Sequence, residues 1–267
     1  MDDLHLRLIR LGLEALSEDF GFALAGGYAV QAHHIVQRLS DDVDLFAPIE
    51  RRGEMPAATE RIVSVLREHG YRVEIVQQAD TYVRLMVTDP VSGHDTKIEL
   101  VAEFLQQSPV ASEWGPVLHR DDVAAGKMEA LFSRAEARDF IDVDALVQAG
   151  YTRERLIELA AERDSGFDKT VLAQMFAGAG RFSDRQFLVY GVDQARVDGI
   201  RAQFDDWRQE LQSPRADSAR AEAARASSPA TEGARAARDG VPPPDSASGK
   251  QERVGREHPD SDHNRRR

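Results

Sequence analysis

Residues 23 to 46 read ALAGGYAVQAHHIVQRLSDDVDLF, and no other stretch so narrows what this chain can fold into. The apolar run FALA predicts a short buried strand, the Gly26-Gly27 pair a tight turn, and YAVQAHHIVQ a helix leaving that turn. A second strand follows, entered through three aspartates in four positions. Alternate side chains of a strand point to opposite faces, so Asp42 and Asp44 share one face while Val43 and Leu45 share the other. The apolar pair belongs in a core, and Asp41 falls outside the alternation. Two carboxylates about 7 Å apart on one strand face repel each other unless cations lie between them. Hard divalent ions take such oxygen ligands. Solvated strand edges and helix caps account for most Asp-Asp runs, but neither requires the alternation seen here.

Length and composition set the frame. A chain of 267 residues suffices for one large domain or two ordinary ones, with a sizeable core. Cysteine is absent, which excludes disulfides, thiolate-bound metals and thiol nucleophiles, and suits a reducing cytoplasm. The opening MDDLHLRLIRL is acidic and amphipathic, unlike a basic signal peptide, and no apolar run reaches the roughly 18 residues of a membrane span. A soluble, cytoplasmic protein with no membrane partner is expected. The formal net charge of -12 argues against a wholesale basic nucleic-acid wrapper. No DNA partner is therefore expected, and any RNA must meet a local patch.

Three-and-four spacing of leucine and isoleucine in DDLHLRLIRLGLEALSEDFG predicts an opening helix, and PAATERIVSVLREHG predicts another with its glycine stop. YRVEIV, TYVRLMV and TKIELVAEF predict three strands separated by turn-like segments. From RDDVAAGKMEALF to FDDWRQEL only helical spacing is visible, broken at glycines and at GRFSDRQF. Beyond it, alanine, serine, proline and arginine replace periodic apolar sequence. The expected fold class is α+β: a mixed sheet with flanking helices over residues 1–108, a helical C-terminal domain over 109–211, and a disordered tail over 212–267.

Strand, glycine pair, helix and then R-x-S-x-D-x-D together resemble the signature of the nucleotidyltransferase superfamily. More narrowly, GGYAVQAHHIVQRLSDDVDLF resembles the first motif of the AbiEii/AbiGii-type toxins. These are the nucleotidyltransferase components of bacterial toxin-antitoxin and phage-defence pairs, the MenT group among them. The resemblance implies a basic residue and an acid on a later strand, which TKIELV supplies as Lys97 and Glu99. It then implies a helix with a lysine followed by R-D-x-x-D, which this chain supplies as Lys127, Arg138, Asp139 and Asp142. It covers residues 20 to 150 and departs from the family pattern in a longer spacer between Gly27 and Asp42. Each residue also has a plainer reading. Lys97 and Glu99 suit a solvent-facing strand, Lys127 could snorkel to water, and Arg138 and Asp142 could form a helix-surface ion pair worth about 0.3 to 0.5 kcal/mol.

The resemblance implies transfer of a nucleoside monophosphate from an NTP to an RNA acceptor, a tRNA 3′ end, in a Mg²⁺- or Mn²⁺-dependent reaction countered by a cognate antitoxin. Asp42, Asp44 and Glu99 would hold the metal, with two ions about 3.5 to 4 Å apart. Gly26, Gly27 and Ser40 would cradle phosphate oxygens. Lys127 would offset the triphosphate charge, and Asp142, preferred over Asp139, would orient that lysine or help activate the acceptor hydroxyl. Two alternatives stay open: a small-molecule hydroxyl as acceptor, as in antibiotic-modifying nucleotidyltransferases, or a non-catalytic nucleotide- or partner-binding module. Adjacent His33 and His34 point about 100° apart on a helix and make a poor metal pair. No P-loop, G-x-S-x-G elbow or H-E-x-x-H helix is present. Arg84, Trp114 and Trp207 have no assigned role beyond an exposed strand and core bulk.

Overall fold

The computed structural model describes residues 3–38 and 40–213. The expected tail lies outside the described residues, apart from Gln212 and Ser213.

Helix α1 (Asp3–Phe20) buries Leu4, Leu8, Ile9, Leu13 and Leu16, the apolar stripe its spacing foretells. Gly12 lets it sit close to the sheet, because a Cβ there would come within 2.7 Å of Leu45. A two-residue strand β1 (Ala23–Leu24) leads through the glycine pair into α2 (Gly26–Ala32), and β2 (Asp42–Pro48) follows. After a 3₁₀ turn come α3 (Met55–Glu68) and the strands β3 (Arg72–Ala79), β4 (Tyr82–Thr88) and β5 (Asp95–Glu103). A short hairpin, β6 (Val110–Ser112) and β7 (Gly115–Val117), completes one mixed sheet in the order β3-β4-β5-β2-β1-β7-β6. β2 runs parallel to β5 and β1 parallel to β7; the other neighbours are antiparallel.

Two expectations are adjusted. The helix after the glycine pair stops at Ala32, with His34 in the left-handed region at φ 56°, and the turn carries Ile35 and Val36 onto the buried apolar clusters. The hairpin β6–β7 carries no alternation that sequence could show, since each strand has three residues and one contains Gly115 and Pro116.

The remaining chain is helical: α4 (Arg120–Ser133), α5 (Ala137–Gln148), α6 (Arg153–Arg163), α7 (Lys169–Phe176), α8 (Asp184–Leu188) and α9 (Gln194–Gln212). One apolar cluster runs from Leu4 to Val123 under the sheet, and a second runs from Ala124 to Trp207 among the helices. In the second, Phe140 and Phe176 pack edge-on to Phe204, and Phe176 tilts against Trp207 at 4.8 Å between ring centroids. Among the described residues, no helix is long and apolar enough to cross a membrane.

Candidate active site

The alternation in β2 and β5 turns charged side chains onto one face. Val43, Leu45, Ile98 and Leu100 have no exposed surface, and burying side chains of that size contributes about 1.5 to 3 kcal/mol each. That commitment leaves Asp42, Asp44, Lys97 and Glu99 on the opposite face, and parallel pairing sets Asp42 opposite Lys97 and Asp44 opposite Glu99. All four line a cleft of about 410 Å³, together with Gly26, Gly27, Ser40 and Lys127.

The glycine pair is required by close approach. Gly26 has φ 60°, and a Cβ there would lie 1.7 Å from Asp44 Oδ2; a Cβ on Gly27 would lie 2.5 Å from Ser40 Oγ. The Ala25 N–H donates to the Asp44 carbonyl at 2.9 Å, tying the turn to β2. Backbone, carboxylate and hydroxyl therefore meet without an intervening side chain.

Three carboxylates of the cleft stand in different electrostatic settings. Asp42 Oδ1 is 2.7 Å from the Lys97 ammonium. Glu99 accepts from Arg84 Nε at 3.0 Å and lies 2.9 Å from a second guanidinium nitrogen, so Arg84 is not merely an exposed strand residue. Asp44 is pushed up to about 6 by burial, with Glu99 and Asp42 adding to the rise against the pull of Lys127 and Arg138.

Lys127 projects from α4 with its ammonium 2.9 Å from Asp142 Oδ2 on α5. Asp142 has no exposed surface and does not line the cleft. Its two oxygens accept from Arg38 Nε at 2.6 Å and from Arg38 Nη2 at 2.7 Å. Burial alone would raise the Asp142 carboxyl, yet Lys127 and Arg38 hold it below the usual carboxylate range. Asp142 thus meets Lys127 from behind the cleft wall. The helix-surface pair between Arg138 and Asp142 does not form: Arg138 reaches Glu136 at 2.9 Å and Asp41 at 3.5 Å instead. Asp139 serves the start of α5, accepting from the Glu136 N–H at 2.9 Å and from Arg134 at 3.0 Å.

Sequence reasoning assigned no role to Arg38 or Arg163. Arg38 stands inside the R-x-S-x-D-x-D pattern, but its partner is 104 residues away, beyond any local spacing rule. Arg163 bridges Glu103 at 3.3 Å and Glu129 at 3.0 Å on the far wall of the cleft, with no motif to mark it. His33 bonds the Leu118 carbonyl at 2.7 Å, a packing role, and its imidazole pKa is lowered chiefly by burial. Trp207 is buried in the apolar cluster among the helices, and Trp114 packs at the edge of the other cluster, under the sheet.

Among the described residues, no three or more His, Asp or Glu side chains converge into a preformed metal cage. The donor set still suits Mg²⁺, which is commonly held by one or two carboxylates with the rest of its shell supplied by substrate phosphate and water. Asp42 and Asp44 are such a pair, and a cation would offset the burial that chiefly lifts Asp44, together with the repulsion from Glu99 and Asp42 that adds to it. Glu99 faces the same cleft but is tied to Arg84.

Three solved structures share this fold. JHP933 from Helicobacter pylori superposes with a TM-score of 0.52 at 16% identity, covering 84% of this chain and 96% of that one. A putative nucleotidyltransferase from H. pylori gives 0.50 at 16% identity, with 79% and 96% covered. MenT4, a nucleotidyltransferase toxin from Mycobacterium tuberculosis H37Rv, gives 0.54 at 15% identity, with 78% and 85% covered. No curated protein matches the chain. The profile of the nucleotidyl transferase AbiEii toxin family, type IV toxin-antitoxin system, matches residues 8–226, and the chain belongs to that family of nucleotidyltransferases.

Proposed function

We propose that the protein is a Mg²⁺-dependent toxin that transfers a nucleoside monophosphate from an NTP to RNA, at a tRNA 3′ end, in the cytoplasm and under the control of a cognate antitoxin. One observation carries the reading: the cleft sets two metal-type carboxylates, Asp42 and Asp44, in a wall that also holds a lysine positioned by a buried acid. Family membership supports the toxin role and the antitoxin, while RNA as acceptor follows from the family resemblance.

In the proposed reaction the acceptor hydroxyl attacks the α-phosphorus, the bond from that phosphorus to the β-phosphate bridging oxygen breaks, and pyrophosphate leaves. A divalent cation at Asp42 and Asp44, Mg²⁺ or Mn²⁺, would supply charge neutralisation and acidify the acceptor hydroxyl. Gly26 and Gly27 leave room for phosphate oxygens beside the Ser40 hydroxyl. Lys127 presents its ammonium to the polyphosphate, held in direction by Asp142 and, through it, by Arg38. Such positioning and electrostatic stabilisation supply most of what phosphoryl transfer needs.

A small-molecule acceptor is the competing reading. A cationic antibiotic would need free carboxylates beside the cleft, but Glu103 and Glu129 on the far wall are both paired with Arg163. The test is to incubate full-length protein and Mg²⁺ with each labelled NTP, offering total RNA or an aminoglycoside panel. Label in RNA is the expected outcome; label in the drug, or in neither, contradicts the RNA reading.

A further inference from the structure

The cleft already contains the cations that would compete with a metal. Lys97 holds Asp42 and Arg84 holds Glu99, each from the neighbouring position in the sheet. The two pairs differ in kind. Arg84 brings two nitrogens of a rigid fork to one Glu99 oxygen. Lys97 makes a single 2.7 Å contact from the end of a flexible stem, with its side chain 41% exposed. Parallel register places that stem directly across from Asp42, so its ammonium must choose between water, the carboxylate and whatever enters the cleft.

We propose that Lys97 is a resident counter-ion that holds Asp42 before substrate binds and moves to the polyphosphate when metal and nucleotide arrive. This rests on the reading of Asp42 as a metal ligand. A divalent ion held by the Asp42 carboxylate would lie close enough to that ammonium to repel it. Displacing Lys97 costs little, because a part-exposed pair is weakly held. The freed ammonium still lines the cleft, where phosphate oxygens offer it a stronger partner. Lys97 thereby makes loading cooperative. Metal alone is opposed by the lysine, and metal with polyphosphate satisfies both cations at once.

The test measures Mn²⁺ binding to the full chain without nucleotide, from the spin-resonance signal of free Mn²⁺, for wild type, Lys97→Met, Lys97→Arg and Asp42→Asn. Lys97→Met should bind Mn²⁺ about fivefold tighter than wild type, the worth of one part-exposed ion pair. Lys97→Arg, which keeps the charge, should stay near wild type, and Asp42→Asn should bind weakest. With a mixture of the four NTPs and RNA as acceptor, Lys97→Met should raise KM for nucleotide more than it lowers kcat. Unchanged or weaker Mn²⁺ binding by Lys97→Met, with binding lost in Asp42→Asn, overturns the role of Lys97 and leaves the metal reading intact. Wild-type binding by Asp42→Asn overturns the metal reading itself, and the counter-ion role with it. Lys97→Gln provides a second neutral variant if Lys97→Met melts below wild type.

Discussion

Burying a carboxylate is unfavourable unless its charge is met, and at Asp142 it is met twice, by Lys127 and by the fork of Arg38. Its pKa is depressed, so its contribution to stability is complete above the unfolded carboxyl value and is lost as pH falls through the lower folded value. Asp142→Ala strands two cations and should destabilise the protein by about 3 to 5 kcal/mol in urea or thermal unfolding at pH 7. A loss below about 1 kcal/mol, the worth of a surface pair, would contradict the network. Asp44 has the opposite sign. A rise from the usual 3.8 to about 6 disfavours the ionised form by about 3 kcal/mol in the metal-free protein. That cost is absent below pH about 4, grows between 4 and 6, and is complete above 6. Asp44→Asn should therefore raise the melting temperature of the metal-free protein by several degrees at pH 8 and leave it unchanged at pH 4. Equal shifts at both pH values would contradict this account. Sequence alternation puts Asp42 and Asp44 on one face, but their unequal environments depend on neighbours from other strands and from α4 and α5, which no local pattern encodes.

At the scale of elements, β2 and β5 were legible because burial on one face leaves a strict period of two, and the register then brings Lys97 to Asp42 and Glu99 to Asp44. The R-D-x-x-D segment was legible as a motif but not as a geometry. Asp139 caps α5 and Asp142 turns inward, a division decided by where the helix starts and by the Arg38 guanidinium that meets it. The hairpin β6–β7 stayed hidden because its place in the sheet comes from pairing with a two-residue strand rather than from any alternation of its own. The turn between β1 and α2 is the most demanding junction. Gly26→Ala must strain a left-handed backbone and drive a methyl group into the Asp44 carboxylate. Displacing a reacting group by about 1 Å can cost about 100-fold in rate, and transfer should fall at least that far. Gly53→Ala, with nothing within 4 Å of the added methyl, should leave transfer unchanged. Near-wild-type transfer by Gly26→Ala would show that the turn does not seat Asp44.

For the molecule as a whole, the sheet and the helical region meet at α4. Val123 closes one apolar cluster and Ala124 opens the other, while Lys127 on the same helix faces the cleft. The described chain thus spends its core positions on holding one face of β2 and β5 against a helix that brings a cation. The overall acidity of the chain is not concentrated in this cleft, where seven cations, Arg38, Arg84, Lys97, Lys127, Arg134, Arg138 and Arg163, stand beside six carboxylates, Asp42, Asp44, Glu99, Glu103, Asp122 and Glu129. Composition alone revealed the net charge but not this concentration of cations, which is assembled from segments distant in sequence. The most direct test of the whole account is Mg²⁺-dependent transfer of labelled nucleotide to RNA by Asp42→Ala, compared with wild type and paired with a thermal melt. The account predicts a folded protein, melting within a few degrees of wild type, whose transfer is abolished; metal-dependent transfer at wild-type rate would contradict it.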